Sequence, residues 1–106
     1  MKTLYLLRHA KSSPATTILK DFERSLSGRG LEDIALMAKM FNERHLSVQS
    51  IISSSAKRAN HTATLMAEMI GLSSEYVMFQ PELYLAGVNV FLRITSLIDE
   101  RFEAAM

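Results

Sequence analysis

The sequence contains no cysteine. Disulfides, thiolate metal sites and cysteine nucleophiles are thereby excluded, and a small domain without them suits a reducing compartment. An excess of charge of one sign is also missing: 12 Lys and Arg stand against 11 Asp and Glu, for a formal net charge of +1. Nucleic-acid binders carry a marked basic excess, so no nucleic-acid partner is expected. Long apolar runs are absent too. Leu4 to Leu7 is broken at once by Arg8, His9 and Lys11, which leaves it too short for the core of a signal peptide. No later stretch approaches the length of a membrane span, so a cytoplasmic protein without membrane contact is the expectation. The three histidines, His9, His45 and His61, lack metal-ligand spacing, and neither a metal nor a cofactor is expected. No internal repeat or low-complexity linker divides the 106 residues, a length that fits a single domain.

What is present is an alternation of short strands and helices. Residues 3–7 are apolar and β-prone and end in charge, as a buried strand does. Residues 10–26 read as a polar loop containing Pro14. Ser27 can cap a helix over 28–44, with Leu31, Ile34, Ala38 and Phe41 at core-facing spacing. Residues 48–53 form a second strand. A helix over 56–70 follows, with an inner stripe of Ala59, Ala63, Met66 and Ile70, and Gly71 stops it. Residues 76–79 make a weaker third strand, ended by Pro81. A last helix is expected over 88–104, turning Phe91, Ile94 and Leu97 or Ile98 inward. Three strand–helix repeats imply parallel strands with right-handed crossovers, hence a three-layer α/β/α sandwich around a mostly parallel sheet. Three strands are few for a sheet covered on both faces.

In such sheets ligands bind at the carboxyl ends of the strands. The first strand ends in Arg8-His9, and the second runs into Ser53-Ser54-Ser55-Ala56-Lys57-Arg58. Parallel strands would send Arg8, His9 and Arg58 to one edge. Two guanidiniums can fork a phosphate bidentately, and a neutral imidazole beside them can attack phosphorus. Taken singly, Arg-His after a strand is an ordinary polar exit, and Lys57-Arg58 an ordinary solvated helix start. Basic residues are unfavourable at a helix N-terminus, however, and a bound anion would compensate them. His45 reads as a solvated residue after a helix, His61 as structural, and the methionines as core filler.

The combination resembles the histidine phosphatase superfamily. Leu4-Tyr5-Leu6-Leu7-Arg8-His9-Ala10-Lys11-Ser12-Ser13 is similar to its Arg-His-Gly or Arg-His-Ala opening, and the Ala-Lys-Ser continuation to the SixA-type phosphohistidine phosphatases. The segments Asp21-Phe22-Glu23-Arg24-Ser25-Leu26-Ser27 with Gly30, Ser53 to Ala59 with Thr62-Ala63, and Glu82-Leu83-Tyr84-Leu85-Ala86 follow in the branch's order. The resemblance implies a phosphoglycerate mutase-like fold. It makes His9 the phosphate acceptor, Arg8 and Arg58 phosphoryl ligands, and Glu82 the proton donor. Lys11, Ser12 and Arg24 become further phosphate- or substrate-binding candidates. It implies removal of a phosphoryl group from a phosphohistidine-bearing protein, such as a histidine-phosphotransfer domain, in signal transduction, with phosphate or sulfate able to fill the pocket.

Departures qualify this reading. Ser25 and Ser55 replace prolines of the branch, which loosens the loops, and His61 replaces a Gln or Glu. The family's later Gly-His-Asn, whose histidine is a second phosphate ligand, does not occur in these residues. They then correspond to the N-terminal portion of the family's domain, with its C-terminal strands missing. Loss of that ligand would cost on the order of 10²–10³ in rate. Two alternatives follow: a small-molecule phosphatase or phosphoglycerate mutase relative, and an inactive phosphate-binding module. The vacant place beside the first strand would be an apolar edge that invites a homodimer.

Overall fold

A computed structural model describes residues 1–14 and 20–106. Part of the expected loop, residues 15–19, lies outside the described residues. The elements run β1 (Thr3–Leu4), α1 (Gly28–Glu43), β2 (Ile51–Ser53), α2 (Lys57–Ile70), β3 (Val77–Phe79), α3 (Val88–Ser96) and β4 (Ala104–Ala105), with short 3-10 turns at Asp21–Glu23, Ser74–Tyr76 and Pro81–Leu83.

Local chemistry sets both long helices. Ser27 caps α1, its hydroxyl accepting from Gly30 N at 3.1 Å. Beyond the other end, His45 takes the left-handed conformation (φ 54°) that more often falls to glycine. Gly71 closes α2 at φ 80°. Ile34, Ala38 and Phe41 of α1 and Ala63, Met66 and Ala67 of α2 are buried, whereas Leu31, expected inside, is exposed.

All the strand pairs are parallel. Ile51, Ile52 and Ser53 of β2 face Val77, Met78 and Phe79 of β3. The expected vacancy beside β1 is corrected: β4 lies there, pairing Thr3 with Ala104 and Leu4 with Ala105. On its other side, the same segment joins β2. Gln49 N donates to Ala104 O at 3.0 Å, Met106 N to Ser50 O at 2.9 Å, and Ile52 N to Met106 O at 2.8 Å. The spatial order is therefore β3-β2-β4-β1. The Gln49 side chain pins the entry, its Oε1 accepting from Glu103 N and Ala104 N at 2.9 and 2.8 Å.

The last helix is also corrected. It ends at Ser96 rather than running to Ala104. Thr95 and Ser96 turn their hydroxyls back onto the carbonyls of Phe91 and Arg93, which competes with continued helix. Further on, Ala104 to Met106 form ladder bonds to strands instead. Leu97, a candidate for the inner face, is exposed, while Ile94 is buried.

Side chains alternate across the sheet. Tyr5, Leu7 and Met106 pack on the core built by α1 and α2. Leu4 and Leu6 take the other face, where they line a cavity with Phe91, Ile94 and Ile98 of the α3 segment. The result is the expected three-layer α/β arrangement.

One close approach seats the loop after β1. Gly30 is buried, and a Cβ there would overlap the Lys11 carbonyl oxygen. That oxygen also accepts from the Ser27 amide and hydroxyl at 2.9 and 3.0 Å. Gly30→Ala should therefore destabilise the fold by about 1–3 kcal/mol, as overpacking does, despite alanine's better helix propensity. Urea denaturation of the two chains measures the difference.

Candidate active site

β1 ends at Leu4, short of the expected strand, and the extension that follows it carries an exposed Arg8 and a half-buried His9. The His9 Nδ1 lies 2.9 Å from Ala10 O. A carbonyl only accepts, so Nδ1 carries the proton in the neutral ring and Nε2 keeps its lone pair. That is the tautomer a nucleophilic imidazole needs.

Thr62, one turn along α2 from Arg58, links the two motifs. Its buried hydroxyl donates to Arg58 O at 2.7 Å and accepts from Ala10 N at 3.1 Å. The residue after His9 is thus tied to the helix that carries Arg58. Sequence reasoning placed Thr62 in a motif without giving it a part. Arg8 and His9 share the walls of a cavity of about 300 Å³ with Ser53, Ser54 and Thr62, closed elsewhere by apolar side chains such as Leu83 and Phe91.

Arg58 is buried and does not line that cavity. Its Nη1 donates to Asp21 O at 2.7 Å and its Nη2 to Asp21 Oδ2 at 3.1 Å. Asp21 also accepts from Tyr84 Oη at 2.5 Å and from Arg24 Nη1 at 3.1 Å. The Tyr84 ring stands 5.9 Å from the Arg58 guanidinium, within cation–π range. The Tyr84 hydrogen bond foremost, then that of Arg24, holds the Asp21 carboxyl down at about 2, and the same contact raises the Tyr84 phenol. Neither Asp21 nor Tyr84 was singled out from sequence. Their signal was the Asp-x-x-Arg spacing and the Glu-x-Tyr segment, which name residues but not contacts.

The other candidates are more dispersed. Arg24 spends its guanidinium on Asp21, on Ser13 O at 2.8 Å and on Ser12 Oγ at 2.8 Å, so it and Ser12 brace the loop. Lys11 contributes its carbonyl to the α1 cap and leaves its side chain exposed. Glu82 forms an exposed ion pair with Arg93 of α3. His45 and His61 are exposed, and among the described residues no cluster of metal-ligating groups occurs.

The family model of the histidine phosphatase superfamily (branch 1) matches residues 4–80. The chain belongs to this superfamily. Its fold superposes on a candidate phosphohistidine phosphatase SixA from Agrobacterium tumefaciens with a TM-score of 0.87, at 26% identity, over 97% of this chain and 65% of that one. A corresponding protein from Nakamurella multipartitia gives 0.81 at 26% identity, over 98% of this chain and 56% of that one. In sequence, a chloroplastic protein of uncharacterised function from Arabidopsis thaliana is 36% identical over 84 residues, which are 78% of this chain and 38% of that protein. This superfamily member thus spans less than two thirds of each of these relatives.

The depressed Asp21 carboxyl has a pH consequence. A group whose folded value lies below its unfolded one contributes stability above the ordinary carboxylate range and loses it as pH falls. The wild-type chain should exceed Asp21→Asn in urea midpoint at pH 5. That margin should shrink from about pH 4 downward and close near pH 2.

Proposed function

We propose that this chain carries the phosphoryl-accepting centre of a phosphohistidine phosphatase. The observation that carries the reading is the 2.9 Å contact of His9 Nδ1 with Ala10 O: a carbonyl partner calls for a proton on Nδ1, which leaves Nε2 as the nucleophile. The Nε2 lone pair attacks the substrate phosphorus. The P–N bond to the substrate imidazole breaks as the bond to His9 forms, and water then releases phosphate from His9. Arg8 and Arg58 neutralise the charge on the transferring oxygens, which is most of what phosphoryl transfer asks of a protein. A phosphoramidate leaving group needs little acid catalysis. That agrees with a Glu82 engaged by Arg93 and exposed. Lys11, Ser12 and Arg24 support the loop around the anion.

The proposed substrate is a protein-borne phosphohistidine, such as that of a histidine-phosphotransfer domain, in a cytoplasmic signalling setting. Among the described residues, no helix is long and apolar enough to cross a membrane. Incubation with a phosphorylated transfer domain should give phosphate loss that His9→Ala abolishes, with an acid-labile phosphoryl adduct on His9 in mass spectra. Equal loss with both chains would refute the reading, and faster turnover of sugar phosphates or phosphoglycerate would favour the small-molecule alternative.

A homodimer is proposed through the edge of β1 away from β4, flanked on one face of the sheet by the exposed Leu4 and Leu6. Light scattering should show a concentration-dependent dimer that Leu6→Lys weakens. A concentration-independent monomer would argue against it.

A further inference from the structure

The acid of the Arg58 cluster poses a physical question. A carboxylate next to a phosphoryl site repels the incoming anion and would weaken binding if it did nothing else. Here Asp21 meets Arg58 with two acceptors at once, its own carbonyl and Oδ2, at the two terminal nitrogens of the guanidinium. Its other oxygen is held by Arg24 and its Oδ2 by Tyr84, so partners from three separate segments fix the carboxylate. Arg58 in turn has little freedom, with its side chain 10% exposed. The guanidinium keeps N–H groups that Asp21 does not use, Nε–H among them, and these can still fork an oxyanion.

We propose that Asp21 is a positioning residue for the phosphoryl site, presetting the Arg58 guanidinium through a clamp that Tyr84 and Arg24 complete. The proposal rests on the reading of Arg58 as a phosphoryl ligand. Two effects carry it. The carboxylate lies between two guanidiniums that would otherwise repel each other. It also fixes in advance a long side chain whose rotamer freedom would otherwise be lost on anion binding. The acid therefore helps the anion bind, although its own charge opposes it.

The test is calorimetric titration of the 106-residue chain with inorganic phosphate, with circular dichroism confirming that each variant is folded. Arg58→Ala should weaken binding about tenfold or more, and Asp21→Asn about threefold to tenfold. The double variant should bind no more weakly than Arg58→Ala alone, because the help that Asp21 gives to binding runs through Arg58. Asp21→Glu should recover part of the loss. Additive losses, or tighter binding by Asp21→Asn, would overturn the inference and leave Arg58 as a ligand. No effect of Arg58→Ala, or no measurable binding by the wild-type chain, would overturn the ligand reading as well. If Asp21→Asn fails to fold, Tyr84→Phe takes its place. It should weaken binding about twofold alone and not at all on the Arg58→Ala background, and a null or additive result there would overturn the inference.

Discussion

The sheet depends on three residues. Ala104 and Ala105 pair with β1 on one side, and Ala104 to Met106 bond to residues 49–52 on the other; among the described residues no other backbone pairing joins these halves of the sheet. Without that wedge, β1 would have no strand partner among the described residues, and the bond from Ala10 N to Thr62 would have to hold Arg8-His9 near α2 without the sheet. The small side chains suit the place. Ala105 is buried, and a bulky residue there would have to displace its neighbours.

Much of this was legible in the sequence where the signals are local. Ser27 before α1 and Gly71 after α2 act through bonds within a few residues, so their effect can be read from neighbours alone. The stripe of Ile34, Ala38 and Phe41 likewise follows from helical period. β4 was not legible. Alanine is depleted in strands, and Ala104–Ala105 is extended only because two strands hold it. The same ladder explains why the apolar spacing of Phe91, Ile94 and Leu97 ran on as an imagined helix. A period cannot register a pairing with residues at the opposite end of the chain.

The site divides in the same way. The residue types of Arg8, His9 and Arg58 limit the chemistry they can do, and the order of strands and helices gives their approximate places. The side-chain contacts were not legible. Asp21, in a polar loop, has the look of a solvated acid until Arg58, Arg24 and Tyr84 are seen to converge on it. Thr62 looks like a helix-surface hydroxyl until Ala10 N is found on it. These residues do no chemistry of their own. They hold Arg58 and the segment after His9 in place, which residue type alone does not reveal.

The pairing of Thr3 with Ala104 also has a meaning in time. β1 precedes its partner in the sheet by about a hundred residues, with both long helices between them. Contacts of such separation slow folding, because nearly the whole intervening chain must be ordered before they form. Helices α1 and α2 can pack early through contacts close in sequence. The strand that delivers His9 must wait. His9 is therefore among the later groups to acquire its surroundings, and the folding chain passes through a stage in which its helices have packed but the segment bearing Arg8 and His9 has not yet docked.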